Sequence, residues 1–160
     1  MVRLEAMSEE DFEASVCRAI RRHAADQVRR GVWTEDEADR ASRADFAELL
    51  PHGRETPSFH FCNLVDERDG SRVGETWYNV RMKGGKTQVW VDWIWIDPPF
   101  RRRGHASNVL RHFEAMAVKL GADRVGLHVL SDNEIALALY AKLGYRTTDV
   151  RMAKVLHPPA

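Results

Sequence analysis

A chain of 160 residues is long enough to bury a core and short enough for one compact domain, here expected over residues 1–160. Its 24 basic side chains balance 24 acidic ones, which disfavours a general nucleic-acid or membrane surface and makes any cluster of one sign a local feature. Cys17 and Cys62 share no motif spacing, no segment has the apolar length of a signal sequence or membrane span, and a cytoplasmic protein without a metal site is expected.

Residues 2–6 alternate and read as an opening strand. Ser8 and Asp11 then start a helix whose apolar positions Phe12, Val16, Ile20 and Ala24 recur at helical spacing until Gly31. Thr34 and Glu37 open a second helix, which Pro51 stops. Three strand-like runs follow at 59–66, 72–80 and 87–96, joined by the turn-rich segments ERDGS and RMKGGK that suit antiparallel hairpins. The third run is apolar on both faces, Val91, Trp93 and Trp95 on one and Trp90, Ile94 and Ile96 on the other, as in a central strand covered on both sides.

The segment DPPFRRRGHA at 97–106 leads into a third helix carrying Val109, Leu110, Phe113 and Ala117. A strand at 124–130 comes next, and strand, helix, strand at this length implies a parallel crossover. A short fourth helix runs from SDNE at 131–134 to Leu143, with Ser131 and Glu134 as its capping pair. The stretch 145–156 can supply one or two final strands.

Three of the four helices thus begin with a cap, while the third begins with Arg101, Arg102, Arg103 and Gly104. A helix N-terminus carries partial positive charge and free N–H groups, so three arginines there are unfavourable unless an anion binds among them. A phosphate would satisfy the N–H groups and neutralise the cations, and Gly104 would let it approach the backbone. The alternative is a solvated basic turn. The loop follows a central strand at its carboxyl end, where open α/β sheets bind ligands. It matches neither a Walker loop nor a dinucleotide fingerprint.

The run I-D-P-P-F-R-R-R-G-H-A resembles the V-x-P-x-x-[RQ]-x-x-G-x-[GA] segment of the GCN5-related N-acetyltransferase (GNAT) family. The stretch L-H-V-L-S-D-N-E-I-A-L-A-L-Y-A-K-L-G-Y is similar to that family's second signature. Both occur in the family's order. The resemblance implies an α/β (α+β) domain with a central mixed sheet of about six to seven strands. Its N-terminal half would be antiparallel, a parallel pair would splay around CoA, and four helices would flank the sheet. It implies acetyl-CoA as donor and no metal. Its pyrophosphate would lie on Arg101, Arg102, Arg103, Gly104, His105, Ala106 and Ser107, with the pantetheine arm pairing along Ile94, Trp95 and Ile96. Asn133 and Tyr140 match the second signature; Ala136 between them leaves room for the arm, and Lys142 would reach the nucleotide phosphates or only solvent.

Acetyl transfer to an amine needs a base for the ammonium proton and benefits from an acid for the departing thiolate. Tyr140 is the candidate acid, with aromatic packing as its alternative. Asp92, set among tryptophans, is a candidate base whose pKa burial would raise; a hydrogen-bonded structural Asp is the alternative. Glu75 and His128 are rivals, His128 being equally readable as a core histidine. Neither cysteine lies in a nucleophile signature, so direct transfer in a ternary complex is expected. In this family the two early helices wall the acceptor side. Here they carry Glu35, Asp36, Glu37, Asp39, Asp45 and Glu48, a mild pointer to a cationic amine unless these face solvent. The expected partners are acetyl-CoA and a primary amine of a small molecule or peptide, with no nucleic acid or membrane, in a monomer or homodimer. A non-catalytic CoA-binding regulatory domain is the first alternative and a nucleic-acid-binding module the second.

Overall fold

The computed structural model describes residues 1–156. The elements are β1 (Val2–Ala6), α1 (Glu9–Arg29), α2 (Glu35–Leu49), β2 (Phe59–Asp66), β3 (Arg72–Lys83), β4 (Lys86–Ile96), α3 (His105–Lys119), β5 (Arg124–Leu127) and α4 (Glu134–Lys142), with short 3-10 turns at Gly53–Glu55 and Pro98–Phe100. They form a single α/β unit built on one sheet in the order β1-β2-β3-β4-β5. The first four strands are antiparallel neighbours, and β5 joins β4 in parallel after the crossover through α3.

Helix starts follow local chemistry. Ser8 caps α1 by accepting the Asp11 N–H, three acids occupy the first turn, and the negative charge there suits the positive end of the helix. Thr34 starts α2 but makes no bond to backbone; its hydroxyl donates to Glu37 instead. The α4 cap is Asn133, whose Oδ1 accepts the Ala136 N–H, and this corrects the expected Ser131–Glu134 pair.

Two apolar layers fix the sheet. On one face Val109, Phe113 and Ala117 of α3 pack with Leu64, Val73, Val89 and Val91. On the other, Phe12 and Ala19 of α1 and Phe46 of α2 pack with Phe61 and Trp77. The buried Ser42 hydroxyl, donating to Ile20 O, ties α2 to α1. Each fully buried side chain of this size contributes about 1.5–3 kcal/mol, so α3 is firmly anchored behind its first turn.

Two β-bulges set the faces. In β3, Val73 is the extra residue between the pairs Leu64↔Gly74 and Val65↔Arg72. In β4, Asp92 is the extra residue between Tyr78↔Val91 and Trp77↔Trp93. A bulge resets the alternation. Val91 therefore lies with Ile94 and Ile96 on the α3 face, and Trp93 lies on the α1 face; strict alternation had grouped Val91 with Trp93. Gly74 is required where β3 meets the end of β4, because a Cβ there would lie 2.0 Å from Trp95 O.

Among the described residues the sheet has five strands, not six to seven. Residues 128–130, expected to extend β5, are outside any ladder, and 145–156 form no strand. Val150, Met152, Val155 and Leu156 all stay exposed, so that segment buries no apolar face to offset the entropy of ordering it.

Candidate active site

Among the described residues the start of α3 is the α-helix N-terminus with neither a side-chain cap nor an acid in its first turn. Gly104 takes φ +83° at the cap position, no side chain caps the helix, and the first turn holds no acid. Among the described residues the N–H groups of His105, Ala106 and Ser107 find no backbone acceptor. A Cβ on Gly104 would meet nothing within 4 Å, so open space lies over the turn. Arg102 is itself held at φ +63°, a left-handed conformation uncommon for a residue with a side chain.

The three arginines separate by role. Arg102 and Arg103 are exposed and form no ion pair among the described residues. Arg101 instead donates from Nε to Ile96 O at 2.8 Å and lays its guanidinium 4.7 Å from the Trp95 ring. The His105 imidazole turns inward, buried, with Nε2 3.8 Å from Asp66. Asp66 is held far below the usual carboxylate range by its hydrogen bonds from Arg68.

Beside this loop the parallel ladder ends early. The β4–β5 pairing stops at Val91↔Leu127, while β4 continues to Ile96. Ile94, Trp95 and Ile96 therefore pair with β3 on one side only. Residues 128–133 leave without a backbone bond to them, and His128, one of the base candidates, is exposed rather than a core residue. The gap starts at the Asp92 bulge.

Glu75 and Asp92 both belong to the α1 face. Glu75 is 1% exposed, and every lone-pair direction is engaged: Oε1 accepts from Ser15 Oγ at 2.7 Å and Trp93 Nε1 at 3.0 Å, Oε2 from Arg18 and from Arg72 at 3.3 Å. Asp92 has one donor, Asn79 Nδ2 at 2.6 Å. Burial pushes its carboxyl up to about 6 despite the opposing Asn79 bond and the Arg81 charge. Asn79 shares strand parity with Trp77, which places Asp92 on the side of the sheet covered by α1 and α2.

On α4, Asn133 and Tyr140 stand two turns apart with Ala136 between them, as their spacing implied. The Asn133 carbonyl oxygen is spent on the cap. Tyr140 is half-buried against Tyr145, ring centroids 5.9 Å apart, and burial raises its phenol. Lys142 is exposed in the last helical turn. Sequence reasoning missed Ser15, Arg18 and Asn79. Ser15 and Arg18 lie three apart on one helix face, but nothing local reveals that the face meets a carboxylate 57–60 positions away.

The site is thus an open helix N-terminus that follows a bulged central strand parting from its parallel neighbour. The family model "Acetyltransferase (GNAT) family" matches residues 20–145, and the chain belongs to that family. It is 33% identical over 153 residues to YdgE of Bacillus subtilis strain 168, covering 96% of this chain and 97% of that protein. It is 30% identical over 156 residues to YycN of the same organism, covering 97% and 99%. Both carry the description uncharacterized N-acetyltransferase. The crystal structure of YycN superposes with TM-score 0.88 at 28% identity, over 99% of this chain and all of that one. The protein is an acetyltransferase, of a family that uses acetyl-CoA.

Proposed function

We propose that the chain acts as one acetyltransferase domain, moving an acetyl group from acetyl-CoA directly to a primary amine of a small molecule or peptide. The observation that carries this reading is the juxtaposition of the open α3 N-terminus with the unpaired edge of β4 from Asp92 to Ile96. The free N–H groups of His105, Ala106 and Ser107, the open space over Gly104 and the unpaired Arg102 and Arg103 fit a pyrophosphate. The free β4 edge fits an amide-bearing arm that adds as a strand would. When bound, acetyl-CoA supplies the activated thioester.

The chain's own residues then divide the proton work. An alkylamine near pKa 10.4 arrives protonated, and Asp92 is the base suited to take its proton. Its carboxyl, pushed up to about 6, is ionised at neutral pH yet less acidic than a surface Asp. Glu75 is set aside as base because its oxygens already hold four donors. Tyr140, its phenol raised by burial, remains protonated and suits the role of acid for the leaving thiolate. An acyl-cysteine route has little support, since burial pushes the Cys62 thiol up to about 11 and Cys17 is exposed on α1 outside the site.

A thiol-release assay with acetyl-CoA across a panel of primary amines tests this. Release that depends on the amine is the expected result. CoA binding without release on any amine would favour the regulatory CoA-binding alternative. Absence of both would overturn the donor assignment.

A further inference from the structure

The face of β4 that meets α1 carries an unusual arrangement of cations on one indole. Trp93 and Trp95 stack with centroids 6.0 Å apart and planes 3° from parallel. Two guanidiniums reach the Trp95 ring, Arg101 at 4.7 Å from the loop and Arg18 at 5.7 Å from α1. Arg101 spends only Nε, on a neutral carbonyl, and no carboxylate neutralises it among the described residues. Arg18 gives one amino group to Glu75 and keeps the rest of its fork free. Asp97 accepts the Trp95 Nε1–H at 3.0 Å and forms no ion pair with either arginine.

Glu75 has no lone pair left. On α2, Asp39 is paired with Arg43 and Asp45 with His23, while Glu35, Asp36 and Glu48 are exposed. Glu37 accepts from Thr34, and Arg101 and Arg18 are the two cations at the Trp95 ring, with Asp97 the acid beside it.

We propose that the acceptor is an amine bearing a carboxylate several carbons away, its amine at Asp92, its apolar stem along Trp93 and its carboxylate on Arg101 and Arg18. The inference rests on the acetyl-transfer reading above. A guanidinium stacked on an aromatic ring is pre-oriented, and its remaining N–H groups suit the two oxygens of a carboxylate. Asp92 and Trp95 are three residues apart, about 10 Å of strand, which selects an ω-amino acid over an α-amino acid.

The probes are ε-aminocaproate, its primary amide and n-hexylamine, which share the amine and stem. The kcat/KM for ε-aminocaproate should exceed that of either neutral analogue by about tenfold to a hundredfold, the range for hydrogen bonds to charged groups. Arg101→Met should erase most of that preference through the acceptor KM, measured at saturating acetyl-CoA. Equal kcat/KM for acid and amide would overturn the proposal. So would an Arg101→Met protein whose acetyl-CoA KM rises while the acceptor preference persists, since Arg101 would then serve the phosphates. Calorimetry of the same three compounds with the CoA-saturated protein reads the preference without turnover. Tighter binding of the acid than the amide is expected there, and no difference overturns the inference even if the thiol-release assay succeeds.

Discussion

Glu75 and Asp92 sit on adjacent strands, on the same face of the sheet, and the fold surrounds them in opposite ways. Glu75 lies in a regular stretch of β3 under α1, where two arginines, a serine and an indole N–H converge on it. Asp92 is the residue that the β4 ladder leaves over, at the point where β5 stops following, and a single amide reaches it. A carboxylate wrapped in donors is a joint. One left short of donors in a half-buried place keeps its proton longer and can exchange it at useful pH. The same side-chain chemistry is thus saturated with donors on one strand and left short of them on the next, and the difference is made by backbone pairing.

The largest effect expected from testing that contrast is on stability. Glu75→Gln keeps the size of the side chain but leaves Arg18 and Arg72 facing a neutral amide, one of whose ends is itself a donor. A hydrogen bond to a charged group is worth about 1.5–3 kcal/mol, and the amide end gives up two, so the expected lower figure is about 3 kcal/mol. For a chain of this length the lower figure lowers Tm by roughly 10 °C, measurable by calorimetric or optical melting. The low-pH limb of the activity profile should survive in the variant that remains folded. A stable Glu75→Gln protein that has lost that limb would exchange the roles of the two carboxylates.

Asp92→Asn should do the reverse. General-base contributions are about 10²–10⁴-fold, so kcat/KM should fall by that order, and the rise in rate with pH through about 6 should vanish. Stability moves the other way. The folded state raises Asp92 from its ordinary 3.8 to about 6, so folding holds the proton more tightly and the ionised group costs stability. That cost is absent below 3.8, grows across the interval and is complete above about 6. The Asn variant lacks it. Melting curves of the two proteins should therefore diverge in favour of Asp92→Asn as pH rises through this window. Unchanged kcat/KM with chemistry rate-limiting would leave Asp92 as a structural residue.

How this contrast relates to sequence is visible in β4 itself. The open α3 start was legible because R-R-R-G replaces a capping residue, a purely local signal. The bulge was not. In V-D-W-I-W-I both parities are apolar from Trp93 onward, so no hydrophobic alternation marks where one residue slips out of register, and Val91 was assigned to the wrong companions. The partners of Glu75 come from three elements, and side chains that meet only through packing carry no spacing in the chain. The stretch 145–156 misled in the opposite direction. Its apolar residues are placed as a strand would place them, but pairing requires an edge that accepts it, and β5 is only four residues long.

A finer test lies in the one donor Asp92 possesses. Asn79 Nδ2 holds Asp92 Oδ2 at 2.6 Å and favours its ionised form, partly opposing the upward push of burial. Asn79→Leu keeps a similar volume in a buried position and removes that bond. The Asp92 carboxyl should then climb further, with Arg81 alone still opposing burial. A hydrogen bond to a charged group is worth about 1.5–3 kcal/mol, and one pKa unit is 1.36 kcal/mol, so the limb should move up by about one to two units. The rate at neutral pH would drop several-fold and recover at higher pH, because the base is intact and only its protonation has changed. That recovery separates a shifted base from a damaged fold, in which the high-pH plateau would fall as well. A limb that stays where it was would mean that some other group, not Asp92, titrates in the rate.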